Sequence, residues 1–415
     1  MGKQITIIGA GVIGLCTAYY LQKEGYEILI IDKGNITDGA SFGNAGFISP
    51  SHFIPLASPA IVGKALRWML NASSPFYVKP RLDRDLIRWA MTFWKSANVR
   101  TMKRNIPPLH EILQLSRRLM DEMKDDMGNG FRMEEKGCLN LYKQVSTGNH
   151  EYKLSKEAAG LGVETKILSS SEIQQIEPLI APDVLGGVLY TDDCHLHPGD
   201  FMHELEKYLL RKGVQFQLNT TVTGFETKHQ KIETVLTDDG VFSCDELIIA
   251  AGAWLPELTR KLNIDMLLQA GKGYSMTYLD VKNNLRYPSI LLERRVAMTP
   301  LGNALRMGGT MEISGINRKI LPKRVAAIYN AAKEYYPGLE VGFPEPNRVW
   351  RGLRPLSPDG LPYIGRHGAF GNLFLSGGHS MMGLSLAAAT GQLTEQILSG
   401  KKTAIDMKAF DPERF

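Results

Sequence analysis

Cysteine is scarce in this chain. Its 415 residues hold four, Cys16, Cys138, Cys194 and Cys244, and no two form a CxxC pair. None of the nine histidines joins them at zinc-finger spacing. A disulfide scaffold and a structural zinc are thereby excluded. No metal is expected, and the thiols read as reduced and buried in a cytoplasmic protein. Long apolar runs are missing too, since none approaches the roughly 18 to 20 residues of a membrane-spanning helix. There is no internal repeat and no low-complexity tract. No secretory leader is expected, because a charged n-region and a small-residue cleavage site are both wanting. Met1-Gly2 with Thr6 fits a loose myristoylation pattern, but Thr6 falls inside a predicted strand. The net charge is only +5, too mild to announce a nucleic-acid partner. What is present, 44% hydrophobic and 22% charged residues, suits a globular protein of two or three domains with a large core.

The N-terminus carries the first chemistry. Gln4–Ile8 reads as a buried strand and is followed at once by Gly9-Ala10-Gly11-Val12-Ile13-Gly14. A helical repeat of apolar residues comes next, Gly25 stops it, and a second strand, Glu27–Ile31, ends at Asp32 and Lys33. This is the order of a dinucleotide-binding βαβ unit. Gly9 permits the tight turn, Gly11 lets a pyrophosphate approach the backbone, and Gly14 lets helix and strand pack closely. The helix N-terminus at Val12 and Ile13 attracts phosphate. Asp32 would accept from an adenosine ribose, which argues against a 2′-phosphate. The unit alone does not choose between FAD and NAD.

Later segments decide that. They are Gly39–Ile48, with Ser41, Asn44, Ala45, Gly46 and Phe47; the strand and small-residue turn ending in Ala251 and Gly252; Lys272-Gly273-Tyr274-Ser275; Arg306–Glu312; Arg351–Gly365; and Gly377–Gly383 opening a helix rich in small residues. With these motifs in this order the chain resembles the FAD-dependent D-amino-acid oxidase superfamily, most of all its bacterial D-amino-acid dehydrogenase branch. The resemblance runs from about residue 3 to about residue 400. It implies an extended, non-covalent FAD, because no cysteine stands where relatives attach the flavin. Ser41 to Gly46 would pass beside the isoalloxazine, and Val222 would border the adenine. Gly352, Gly378, His379, Met382 and Gly383 would lie at the flavin's pyrimidine edge, where a helix N-terminus stabilises the negative charge of reduced flavin.

The fold class expected is α/β: a discontinuous Rossmann-like FAD-binding domain over 1–50, 196–266 and 350–415. An α+β substrate domain with a mainly antiparallel sheet would occupy 51–195 and 267–349. Gly271–Leu279, Arg295–Thr299 and Ala304–Gly308 read as its antiparallel strands and Pro322–Tyr336 as a helix.

Oxidising an amino acid at Cα requires a cation for the carboxylate, a neutral amine, and a Cα–H facing the flavin; hydride departure needs no base. Arg354, in the Gly352-Leu353-Arg354-Pro355 block, is the candidate carboxylate clamp because its fork matches a carboxylate bidentately. Tyr274 is the next candidate, as a hydroxyl for the carboxylate or as a core tyrosine. His52 is a candidate at the pocket mouth. Arg294 stands where the branch usually has tyrosine. Pointing inward it would favour acidic or hydroxylated substrates; pointing outward it is a charged strand face. The implied reaction is oxidative deamination of D-amino acids, with electrons passed to a quinone or other acceptor such as a dye. The alternatives are a D-hydroxyproline or imino-acid dehydrogenase, and a glycine/sarcosine-type amine oxidase using oxygen.

The charge is unevenly placed. Residues 60–104 hold ten Lys/Arg against Asp83 and Asp85, a local +8, with Trp68, Trp89 and Trp94 among them. Within it, Leu82, Leu86, Ala90, Phe93 and Ala97 form a helical stripe. Basic amphipathic helices with tryptophan lie in membrane interfaces, so one reading is peripheral attachment to the inner face of the cell membrane. The other is a helical subdomain with a solvated basic face.

Overall fold

A computed structural model describes residues 3–59 and 74–415. Lys64, Arg67 and Trp68 of the basic stretch lie outside the described residues. Strand β1 (Gln4–Ile8) pairs in parallel with β2 (Glu27–Ile31) on one side and β4 (Glu246–Ile249) on the other. Strand β3 (Gln215–Gln217) extends the sheet beside β2; β10 (Leu373–Gly377) and the antiparallel edge strand β9 (Tyr363–Arg366) extend it beside β4. The central strands are apolar on both faces because helices cover one, and a small antiparallel sheet that contributes Val222, Ile232 and Val235 packs against the other. Helix α1 (Val12–Lys23) and helix α5 (Gly383–Leu398) share one core, in which Leu15, Ala18, Ala387 and Ala388 are all buried.

The second sheet has nine strands. Strand β5 (Gln269–Tyr278) lies between β8 (Val349–Leu356) and β7 (Ala304–Ile313), antiparallel to both, and β6 (Val296–Leu301) follows β7. Ser289–Leu291, Cys138–Tyr142, Gly186–Tyr190 and Thr165–Ser169 continue it, and Phe76–Val78 runs parallel beside β7. Helix α4 (Pro322–Tyr335) packs Val325, Ile328 and Ala332 into the core behind this sheet.

Two placements differ from the expected boundaries. Strand β8 is an edge of the substrate sheet, although it lies within 350–415 for all but its first residue. The long helix α3 (Val99–Met127) buries Leu109, Ile112, Leu119 and Met120 in the core shared by α1 and α5, not under the substrate sheet. Both follow from packing between distant segments, which local periodicity does not encode.

The helix expected over 81–97 is α2 (Arg84–Ser96), capped by Asp83 accepting from the Asp85 and Leu86 N–H groups. Its inner face is not the expected stripe. Leu86 and Trp89 are buried and stacked Phe93 is partly so, whereas Leu82 and Ala90 are exposed. The Trp89 indole N–H donates to the Leu356 carbonyl at 2.8 Å, which draws the indole under β8 and rotates the helix. Ile87, Met91 and Trp94 consequently face solvent, at 49%, 54% and 60% exposure.

Candidate active site

A cavity of about 920 Å³ lies between the two sheets and is lined by both. One end is built on β1, β2 and α1. Gly9 has φ +117°, and a Cβ on Gly14 would stand 1.9 Å from the Gly9 carbonyl oxygen. Only glycine allows helix and turn to meet so closely. Asp32 closes the end of β2, accepting from the Ala10 N–H at 2.7 Å and the Gly34 N–H at 2.8 Å. Each oxygen accepts one of these bonds and keeps capacity for another, such as a ribose hydroxyl would donate, and Asp32 lines the cavity. Gly11 caps α1 without a side-chain bond of its own; the Val12 N–H donates to Ser41 Oγ, and the first-turn N–H groups after it are left for an anion. Val222, Ala251 and Gly252 line the same end, and Lys33 Nζ stands 3.8 Å over the Trp254 ring.

The middle is the loop through Ser41–Gly46. Ser41 Oγ accepts from the Val12 N–H at 3.1 Å, which ties Ser41 to the start of α1, and Ser41 lines the cavity. The rest of the loop is pinned to the substrate sheet. Ser275 Oγ donates to the Gly43 carbonyl at 2.9 Å, Thr299 Oγ1 to Ala45 at 2.7 Å, and Arg306 Nη1 to Asn44 at 2.8 Å. Burial pushes the Arg306 guanidinium down to about 10, with the charge of Asp200 acting against it. Asn44, Ala45 and Phe47 face the cavity.

The far end is the N-terminus of α5, where Met382 caps without a side-chain bond and Met382 and Gly383 line the cavity. His379 is buried, and burial holds its ring down to about 3. Its Nε2 lies 3.1 Å from Thr390 Oγ1, whose own proton goes to the Leu386 carbonyl. The oxygen therefore accepts, and the ring proton sits on Nε2. Gly352 also lines the cavity. Three expected cofactor contacts do not: Gly14, Gly46 and Gly378 shape turns behind the wall, the last two at φ +89° and +75°.

Beside this groove lies the substrate corner. Arg354 on β8 crosses Gly273, where a Cβ would stand 2.4 Å from its Nη2. Nη1 donates to the Thr310 carbonyl at 2.6 Å. Among the described residues that is its sole side-chain hydrogen bond, and no carboxylate pairs with it there. Burial, then the charge of Arg324, pushes it down to about 10. Thr310 sits at a bulge in the β5–β7 ladder with φ +62°, a strained setting for a β-branched residue.

The other three candidates fall differently. Tyr274 is among the lining residues, but its hydroxyl donates to Glu312 Oε2 at 2.6 Å, inside a buried group with Lys272 and Arg324. Its hydroxyl is thus engaged away from any substrate. Arg294 points outward: it is half exposed and pairs with Glu334 at 2.8 Å. The guanidinium that lines the cavity belongs instead to the next residue, Arg295. Strand parity did not reveal this, because Arg295 has φ +53° and the turn before β6 breaks the alternation. His52 lines the cavity near Arg295; burial and that charge push it down to about 4. It is neutral at pH 7.

An acid at the ribose position and two uncapped helix N-termini opening on one long cavity fit FAD, and the loop pinned between them completes the cradle. Residues 4–397 match the model of the family described as "DAO: FAD dependent oxidoreductase". A D-amino acid dehydrogenase of Granulibacter bethesdensis is 31% identical, with 97% of each chain covered. One of Rhizorhabdus wittichii is 32% identical over 97% of this chain and 98% of its own. Among solved structures, glycine oxidase from Geobacillus kaustophilus superposes with TM-score 0.79 at 22% identity, covering 100% and 99% of the two chains. L-Proline dehydrogenase from P. horikoshii gives 0.77 at 18%, over 100% and 98%. These two share the fold. Sequence match, fold and cofactor cradle agree, and the chain belongs to the DAO family of FAD-dependent oxidoreductases.

Proposed function

We propose that the chain oxidises D-amino acids at Cα to imino acids and passes the electrons to a quinone or similar acceptor. The observation that carries this reading is Arg354, a half-buried guanidinium on the cavity wall with no acidic partner among the described residues. Such a group is costly unless a ligand supplies the anion, and an α-carboxylate fits its fork. The D configuration is supported by the named activity of the relatives at 31–32% identity.

The chain's own residues prepare the substrate in two ways. Arg354, held by Thr310, fixes the carboxylate and so fixes where Cα stands. Arg295 and Arg351 also line the cavity, so a substrate ammonium meets like charge. Its pKa falls and the neutral amine is favoured, as the oxidation requires. FAD supplies the sink for the two electrons leaving Cα as hydride. His52 is held neutral and adds no further cation.

The outward face of α2 supports peripheral attachment to a membrane. Ile87, Met91 and Trp94, spaced i, i+4, i+7, are exposed beside Arg84 and Lys95, with exposed Leu82 preceding them. Such a face suits an anionic lipid surface. No helix among the described residues is long and apolar enough to cross a membrane.

Anaerobic mixing with D- and L-amino acids tests the reading. Flavin bleaching is expected with D-amino acids, and reoxidation is expected to be faster with a quinone or dye than with oxygen. Bleaching by glycine or sarcosine alone, with oxygen as the better acceptor, would establish the oxidase reading instead; no bleaching by any amino acid would reject both.

A further inference from the structure

We propose that the pocket selects an amino acid carrying a second anionic group, with Arg354 holding the α-carboxylate and Arg295 the side-chain anion. This rests on the amino-acid reading of the site and narrows it to a substrate class.

Arg295 lines the cavity and makes no hydrogen bond or ion pair with any described residue. The acids that act on it most are already engaged. Glu151 accepts from Asn140 Nδ2 at 2.7 Å and from the Tyr190 hydroxyl at 2.9 Å. Glu293 accepts from the Lys143 and Gln144 N–H groups, both at 3.1 Å, and from the Tyr335 hydroxyl. Neither stands within ion-pair distance of Arg295.

The two arginines are connected through the backbone of one residue. In the antiparallel β6–β7 ladder, Val296 pairs with Gly309, so Arg295 falls opposite Thr310, one step past the last pair. A Cβ on Gly309 would lie 3.0 Å from the Arg295 carbonyl oxygen, which confirms how close the strands remain there. Thr310 is the residue whose carbonyl holds Arg354. The backbone leaves ordinary β geometry at both residues, with φ +53° at Arg295, just before β6, and +62° at Thr310, within β7. Backbone strain of this kind persists where surrounding structure fixes it, often at a ligand site.

Other cavity cations have other neighbours. Arg318 stands near Lys33, which in turn lies by Asp32, at the ribose end. Arg295 instead neighbours His52. Arg351 lies near Lys272. A monocarboxylate held by Arg354 would leave Arg295 without a ligand anion. A dianionic substrate answers both.

The test titrates FAD-loaded enzyme with glutarate and with butyrate, reading perturbation of the flavin absorbance, and then compares turnover of D-glutamate and D-alanine. Glutarate is expected to bind at least about tenfold tighter than butyrate, and D-glutamate to show the higher kcat/KM. Arg295→Asn, a residue that tolerates positive φ, is expected to bring both ratios to within about threefold of unity. Arg295→Lys is expected to restore part of the preference. Equal binding of the two acids by the wild type, or a preference untouched in Arg295→Asn, overturns the proposal. If glutarate is preferred through Arg295 while no D-amino acid bleaches the flavin, the two-cation site stands and the D-amino-acid reading falls.

Discussion

Arg354 Nη1 lies 2.6 Å from the carbonyl oxygen of Thr310, a β-branched residue held at φ +62°. The clamp is thus aimed by a backbone group that ordinary strand geometry would turn elsewhere. Its remaining N–H groups are left for a ligand. Arg354→Leu is expected to lower kcat/KM by about 100- to 1,000-fold, the cost of about 3–4 kcal/mol for a lost buried charge partner. FAD content should be retained. Arg354→Lys is expected to recover little, since one ammonium does not reproduce the fork. Steady-state kinetics with flavin quantification checks both.

Tyr274 is a different case, because its hydroxyl is bonded to Glu312 and not offered to the cavity. Tyr274→Phe is expected to reduce stability by about 1 kcal/mol, the worth of one such bond, with KM nearly unchanged. A tenfold rise in KM would return the hydroxyl to the substrate.

Gly14 stands where a Cβ would lie 1.9 Å from the Gly9 carbonyl oxygen. Gly14→Ala must push α1 off the phosphate turn. The expected outcome is a loss of about 1–3 kcal/mol in stability and a fall in the flavin-to-protein absorbance ratio of the purified protein.

His379 is held down to about 3 from an ordinary 6.5 by burial. As pH falls below 6.5 the unfolded chain takes up this proton first. The stability contributed by the neutral ring is fully present above pH 6.5 and is lost progressively toward pH 3, by about 1.4 kcal/mol per unit. Between pH 7 and pH 5 the wild type is expected to lose about 2 kcal/mol more than His379→Gln. Denaturant unfolding at the two pH values measures the difference.

The exposed face of α2 makes its own prediction. The double variant Met91→Ser, Trp94→Ser is expected to lose sedimentation with anionic vesicles while dye-linked turnover is unchanged. Equal sedimentation of variant and wild type would remove this face as the attachment site.

The sequence by itself determined the βαβ unit, the glycines that build it, Asp32 at its end, and Arg354 within its motif. Each depends on neighbours close along the chain or on a residue type that only one local geometry admits. Local reading misplaced what depends on long-range packing. Trp89 bonds a carbonyl on β8, and α2 so placed leaves Ile87, Met91 and Trp94 facing outward. A left-handed residue before β6 exchanged the roles of Arg294 and Arg295. Tyr274 found Glu312 across the sheet. Tertiary structure decided these because a side chain's partner, and in a bulged strand even its face, is fixed by contacts between segments that the sequence keeps far apart.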